Sequence, residues 1–147
     1  MPSHKETRVV PYTAAQLFDL VMDIEKYPQF LPWCIGARIN RRGKTMLDAD
    51  VMIGYKVFRE KFSSRVHFKK NTSIEVEYMR GPMRELSNKW GFKQLKDGTC
   101  CVDFEVEFTM QSRLFEKLVD QFFHHVLVKM INAFEERAAV LYGVKAK

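Results

Sequence analysis

The chain has 147 residues, 46% of them apolar, and this length and composition suit one domain, 1–147, with a sizeable core. Its net charge of +6 would ordinarily indicate an anionic partner, but much of the charge follows an alternating pattern along the strands. We therefore expect no DNA partner. The remaining basic residues are expected around the turns at the strand ends, where they would also suit a membrane surface.

The same sequence carries no apolar run long enough to span a bilayer, and no signal or transit segment opens it. We therefore expect a bacterial cytoplasmic protein that could lie at the periphery of the inner membrane.

The first part of the chain predicts a strand followed by two helical segments. The strand is expected over His4–Val10. The run Thr13–Gln16 forms a capping box, which places the start of a helix at Ala14. A second short helical segment is expected from about Ile24 to Leu31, with Pro28 near its start and Pro32 ending it.

From Leu47 to Met110, apolar and polar residues alternate, and the charge of the polar positions changes sign from one strand to the next. The successive groups are Asp48 and Asp50; Arg59, Lys61 and Arg65; Glu75 and Glu77; Lys89 and Lys93; and Asp103, Glu105 and Glu107. Because opposite charges on facing strands stabilise a sheet, this series predicts an antiparallel meander in which each strand pairs with the next. With strands at 4–10 and 35–41, the sheet has about seven strands.

After Met110 the apolar residues recur in pairs about four positions apart, which predicts one long amphipathic helix ending near Gly143. A step of four residues exceeds one helical turn, so this apolar band would rotate along the helix, and only a strongly twisted sheet could cover it. The predicted fold class is therefore α+β: a curved antiparallel sheet wrapped around a long C-terminal helix. We expect Phe122, Val126 and Met130 to pack against strand residues such as Trp90 and Phe104.

No pattern of catalytic or metal-binding residues stands out in the sequence. The three cysteines, Cys34, Cys100 and Cys101, lack a C-x-x-C spacing and are expected to be free thiols. His124 and His125 are adjacent and have no ligand at a suitable spacing, so we expect exposed or boundary histidines. Gly-rich phosphate loops and the G-x-S-x-G motif do not occur.

A few polar residues fall at inward positions of the predicted strands. Glu60 and Ser64 alternate with phenylalanine and valine, and Asn88 lies between Leu86 and Trp90. Burying a carboxylate requires a partner or water, so three interpretations are open: a bulge turns Glu60 outward, Glu60 lies near solvent at a strand end, or these groups border an apolar ligand pocket. Tyr78 is either a core tyrosine with a hydrogen-bonded hydroxyl or part of the pocket wall, and Trp33 is either a plug at the sheet edge or part of that wall.

Two segments carry a family resemblance: Tyr27-Pro28-Gln29-Phe30-Leu31-Pro32-Trp33-Cys34 and Arg59-Glu60-Lys61-Phe62-Ser63-Ser64-Arg65-Val66. Together with the order of elements, they resemble the coenzyme Q-binding proteins of the START-like superfamily, also described as polyketide cyclase/dehydrase and lipid-transport proteins. The resemblance implies a helix-grip fold whose cavity binds ubiquinone or a related polyisoprenoid lipid without catalysis, in support of respiratory electron transfer or quinone synthesis.

The residues expected to line this cavity are Trp33, Phe58, Glu60, Phe62, Ser64, Tyr78, Asn88, Trp90, Phe104, Phe122, Val126 and Met130. Ubiquinone enters here as a bound ligand, and no cofactor or metal is expected. Two alternatives stay open. A similar branch of the superfamily is described as a ribosome-association toxin that blocks joining of the ribosomal subunits, and a cyclase-like enzyme would use Glu60 as an acid or base.

Overall fold

The computed structural model describes residues 3–55 and 58–143, except for the side chains of Tyr55, Phe58, Phe115 and Leu118. Within these ranges the elements are β1 (Ser3–Val10), α1 (Ala14–Met22), a 3₁₀ helix (Ile24–Gln29), β2 (Cys34–Arg42), β3 (Met46–Tyr55), β4 (Phe58–Lys69), β5 (Ser73–Arg80), β6 (Met83–Gln94), β7 (Cys100–Met110) and α2 (Arg113–Tyr142). The seven strands form one antiparallel sheet in the order β1-β7-β6-β5-β4-β3-β2. The predicted meander and long helix are confirmed.

The start of α1 is fixed by its own side chains. The Gln16 backbone N–H donates to Thr13 Oγ1 at 3.1 Å, and the Thr13 N–H donates to Gln16 Oε1 at 3.0 Å, so the predicted capping box is present. The following segment is a 3₁₀ helix of six residues rather than a helical segment extending to Leu31, and Pro28 lies near its end rather than near its start. Proline has no backbone N–H to donate and therefore disrupts the interior of an α-helix. A 3₁₀ helix of six residues has few internal hydrogen bonds and tolerates proline better.

The charged positions of the meander lie on the outer face of the sheet, and opposite charges face each other. Asp48 is paired with Arg65, whose Nε donates to Asp48 Oδ1 at 2.8 Å. This hydrogen bond is the largest cause that lowers the pKa of Asp48. In the register, Glu75 faces Lys89 and Lys89 faces Glu105, so the alternation of sign seen in the sequence corresponds to the strand pairing.

The inner face of the sheet is closed at one end, which we call the closed end. There α1 and the last turns of α2 cover the sheet, and the Tyr142 hydroxyl donates to the Gln16 carbonyl at 2.9 Å. The core residues at this end are buried; they include Leu17, Phe18, Leu47, Val66, Ile74, Phe92 and Cys100. The opposite end, which we call the open end, carries the β5–β6 turn at residues 81–82 and the start of α2.

The prediction that Phe122 packs against the sheet is wrong, because its side chain is 57% exposed. The less exposed residues of α2 recur about every 3.6 positions: Val119, Phe123, Val126, Met130 and Ala133 are half-buried or buried, and Leu127 beside Val126 is buried as well. A straight helix contacts a sheet along one stripe of residues about 3.6 positions apart. Residues four positions apart rotate around the helix and soon point away from the sheet. The neighbouring Phe123 contacts the sheet instead, with its ring centroid 5.5 Å from that of Phe108 rather than against the expected Trp90 or Phe104.

Candidate functional site

The inner face changes from buried to half-buried on going from the closed end to the open end. At the open end, the inward residues of four strands and of the first half of α2 remain partly accessible to solvent. We call this region the trough; its described lining comprises Phe62, Ser64, Tyr78, Leu86, Asn88, Val106, Phe108, Val119, Phe123 and Val126. An accessible apolar face with a few polar groups is the usual composition of a small-molecule site.

Three polar residues lie near one another on the floor of the trough. Ser64 is directly opposite Tyr78 in the β4–β5 register, and Asn88 lies on the next strand, opposite Val76. Asn88 Nδ2 donates to the Glu105 carbonyl at 3.0 Å and its Oδ1 accepts from the Trp90 indole at 3.2 Å. These bonds hold the amide in place and use one of its two N–H groups, so the amide has a second N–H group to offer a ligand.

The Tyr78 hydroxyl also has a structural contact. It accepts a hydrogen bond from the Met83 backbone N–H at 3.0 Å, across the β5–β6 turn. A Cβ at Gly81 would lie only 2.7 Å from this oxygen, so the turn needs glycine there. Because a phenol both donates and accepts, Tyr78 can still donate its own proton to a ligand in the trough.

Glu60 lies on the inner face, as its parity predicts, and the alternative of a bulge that turns it outward is wrong. It is half-buried and faces Ile53 on β3. Four residues separate it from Ser64, which corresponds to about 13 Å along an extended strand. Glu60 therefore lies beyond the Ser64, Tyr78 and Asn88 group, near the rim of the open end.

Trp33 lies at the same rim. Its carbonyl accepts from the Gly54 N–H at 2.8 Å, and its backbone has a φ of 66°, in the left-handed region that non-glycine residues rarely occupy. A residue keeps such a conformation only when neighbouring contacts hold its backbone. Here the next residue, Cys34, is paired with Ile53 of β3.

The other predicted lining residues lie in different places. Phe62 and Val126 line the trough, whereas Trp90 and Phe104 pack together deeper in the sheet with ring centroids 4.7 Å apart. Met130 packs with Leu31, Cys34 and Ala133 beside the 3₁₀ helix. The side chain of Phe58 lies outside the described residues, and Phe122 points to solvent rather than into the trough.

A row of paired charged side chains lies along the edge of the inner face and was not predicted from the sequence. His4 Nε2 and Arg8 Nη2 each lie 2.7 Å from a carboxylate oxygen of Glu6, and Arg8 is also paired with Glu135 of α2. The hydrogen bond from His4 is the largest cause that lowers the pKa of Glu6. The charges at positions 4, 6 and 8 are visible in the sequence, but only the pairing of β1 with β7 places them beside the inward residues of β7, and only the structure shows that Arg8 reaches α2.

The thiols are in environments that disfavour nucleophilic chemistry. Cys34, Cys100 and Cys101 are free, as expected, and Cys100 is completely buried. Burial raises the pKa of the Cys34 and Cys100 thiols, which therefore stay protonated at neutral pH. His124 and His125 are both exposed, and no cluster of three His, Cys, Asp or Glu side chains with metal-site spacing occurs within residues 3–55 and 58–143.

Neither α1 nor α2, in their described parts, combines the length and the apolar character that a bilayer-spanning helix requires. α2 has the length, with 30 residues, but charged residues recur along it.

The chain is similar to proteins of known family. A model of the family described as polyketide cyclase/dehydrase and lipid transport matches residues 10–135. A protein of Rickettsia prowazekii named ribosome association toxin RatA is 38% identical over 145 residues, covering 94% of this chain and 97% of that protein. A mitochondrial coenzyme Q-binding protein, COQ10, of Dictyostelium discoideum is 30% identical over 141 residues, covering 93% of this chain and 69% of that protein.

One solved structure is similar in both sequence and fold. The solution structure of the 18 kDa protein CC1736 from Caulobacter crescentus is 38% identical, with a TM-score of 0.77, and the match covers 98% of this chain and all of that one. With the family model spanning most of the chain and the sheet closed around α2 at one end, the chain belongs to the polyketide cyclase/dehydrase and lipid transport family, with its START-like helix-grip fold.

Proposed function

We propose that this protein binds a lipid with a polyisoprenoid tail, of the ubiquinone type, in the trough and carries it without chemical change. The observation that supports this function is the solvent-accessible apolar face between the sheet and the first half of α2. The likeness to a coenzyme Q-binding protein points to the same class of ligand.

The energetics of such binding need little beyond an apolar surface. Each methylene-sized unit moved from water into the trough contributes about 0.8 kcal/mol, so a tail of a few isoprene units supplies enough for micromolar binding. The quinone ring needs only hydrogen-bond donors for its carbonyl oxygens. Tyr78 and Asn88 offer an O–H and an N–H on the trough floor.

Carriage rather than catalysis fits the groups available in the trough. The described lining contains a hydroxyl, a phenol and an amide but no thiol, and the buried thiols elsewhere have raised pKa values. The one carboxylate at the rim, Glu60, has no described acid or base partner across the trough floor with which to share proton transfer. A cyclase-like enzyme would need such a pair or a comparable arrangement.

Titration with ubiquinones of short and long tail tests this proposal. Trp90 lies beside the trough through its bond to Asn88, so we expect its fluorescence to be quenched, with saturation at about one equivalent and unchanged quinone recovered by solvent extraction. A Trp90→Phe variant should lose most of the quenching, whereas Trp33→Phe should lose less. Absence of binding by every isoprenoid quinone tested, or turnover of the quinone, would contradict the proposal.

Ribosome association is the second candidate, supported by the RatA relatives of similar length. The net charge of +6 would favour it, since lysines and arginines bind the phosphates of ribosomal RNA. Sedimentation with isolated ribosomal subunits at increasing salt separates the two functions. If the protein is a lipid carrier we expect weak binding that is lost at moderate salt, whereas salt-resistant binding to the large subunit with a block of subunit joining would favour the toxin function.

A further inference from the structure

The open end of the molecule combines exposed apolar side chains, arginines and the mouth of the trough. We propose that this end docks on an anionic phospholipid membrane, with its apolar side chains in the headgroup layer and its arginines on lipid phosphates. The proposal rests on the proposed lipid carriage, because docking there would place the trough against the bilayer from which its ligand comes.

A depression of about 410 Å³ forms the centre of this surface. It is lined by Tyr78, Met79, Arg80, Gly81, Met83, Arg84 and Gln111. Gln111 fixes the start of α2 to the β5–β6 turn: its backbone N–H donates to the Pro82 carbonyl and its side-chain amide donates to the Met83 carbonyl, both at 3.3 Å. The turn and the helix start therefore form one continuous surface.

The charges on this surface suit an anionic partner. Arg80 and Arg84 line the depression and are exposed, and Arg113 and Lys117 are exposed in the first turns of α2. The acidic residues of the same segments are Glu85, Glu116 and Asp120, and Arg80 also lies near enough to Asp50 to help lower the pKa of that carboxyl. A guanidinium group can contact a lipid phosphate through two parallel N–H groups, and each basic residue near an anionic bilayer adds to binding. The surface thus has a net positive charge around the depression.

Exposed apolar side chains border the depression and continue along the first turns of α2. Met79 borders the depression and is 45% exposed, Leu114 follows Gln111 by three residues and is 75% exposed, and Phe122 lies two turns further along α2. Single exposed apolar residues are ordinary, but their position beside arginines resembles an interfacial membrane-binding surface.

The closed end is also basic, with Lys44, Lys69 and Lys70 at its turns, and it has an exposed Val140. It differs in one respect: α1 and buried core residues fill the inner face there. Only at the open end does the apolar trough reach the surface beside the basic residues, which is why the proposal places docking there. The closed end provides matched controls.

Flotation with vesicles of phosphatidylcholine, with or without phosphatidylglycerol, tests the docking surface. We expect binding only to the anionic vesicles. Arg80→Gln/Arg84→Gln should lower the partition coefficient about 30-fold, the effect of two charges at about 1 kcal/mol each. Leu114→Ser/Phe122→Ser should lower it at least about tenfold by removing inserted apolar surface. Lys69→Gln/Lys70→Gln and Val140→Ser at the closed end should change it by less than about threefold.

Each other outcome overturns the docking surface. Equal losses from the closed-end variants would show that general charge or the closed end makes the contact. Binding of the two arginines to ribosomal RNA, with no binding to vesicles, would assign the surface to a nucleic-acid partner. The quinone titration without vesicles tests lipid carriage separately from docking. If the wild type and Leu114→Ser/Phe122→Ser both bind quinone but the wild type does not bind vesicles, the docking proposal is wrong and the lipid-carrier proposal stands.

Discussion

Phe134→Ala is expected to lower the free energy of unfolding by about 3 kcal/mol, the usual loss for a large aromatic side chain in a packed site. Phe134 joins α2 to two other layers, because its ring lies 5.7 Å from that of Tyr27, 5.4 Å from that of Phe30 and 5.6 Å from that of Trp90. Removing it leaves a space that these rings cannot all fill. Urea unfolding followed by circular dichroism measures the loss.

Phe122→Ala is the matched control, since it removes the same side chain from the same helix. Phe122 is mostly exposed, so we expect a change of within about 0.5 kcal/mol, as for surface substitutions. Equal losses from the two variants would mean that α2 contacts the sheet along a different stripe from the one described here.

Ser64→Phe is expected to weaken quinone binding at least about tenfold while changing the melting temperature little. Ser64 lies on the trough floor beside Ala49 and Tyr78, so a phenyl ring there would occupy space that the lipid needs. Excluding only two methylene-sized units would remove about 1.6 kcal/mol, which exceeds the 1.4 kcal/mol of a tenfold change. Fluorescence titration with a short-tail quinone measures the affinity.

Two further variants make the result specific to the trough. Ser87→Phe introduces the same ring on the outer face of β6, where Ser87 is exposed, and should leave quinone binding unchanged. Ser64→Leu places a smaller group in the trough and should give an intermediate loss of quinone affinity. This variant still tests the site if the phenyl ring of Ser64→Phe overpacks the sheet and destabilises the protein. Undiminished binding by Ser64→Phe would move the ligand away from this part of the inner face.

The fold was largely predictable from local patterns. The period of two with alternating charge predicted the strand order, because opposite charges on facing strands stabilise their pairing whereas like charges destabilise it. The Thr13 capping box predicted the start of α1, since both partners lie within four residues of each other. Parity also placed Glu60, Ser64 and Asn88 on the inner face, as the register confirms.

The face of α2 was not predictable in the same way. Phe122 and Phe123 are adjacent and equally apolar, and the sequence offers no sign of which one meets the sheet. The choice depends on where the helix axis crosses the sheet, which is set by distant contacts such as Phe134 with Trp90 and Tyr142 with Gln16. Apolar pairs every four residues indicated a rotating band, whereas packing selected one stripe of period 3.6.

Local patterns in the sequence were enough to predict the antiparallel order of the strands, the start of α1 and the inward parity of the polar residues, because each follows from neighbours in the chain or on the adjacent strand. Tertiary contacts were needed to show that the inner face is closed at one end and accessible at the other, and that Arg8, itself paired with Glu6, also pairs with Glu135 of α2. Both depend on which parts of a curved sheet α1 and α2 cover, and that placement results from contacts between residues more than one hundred positions apart, as in the bond from Tyr142 to Gln16.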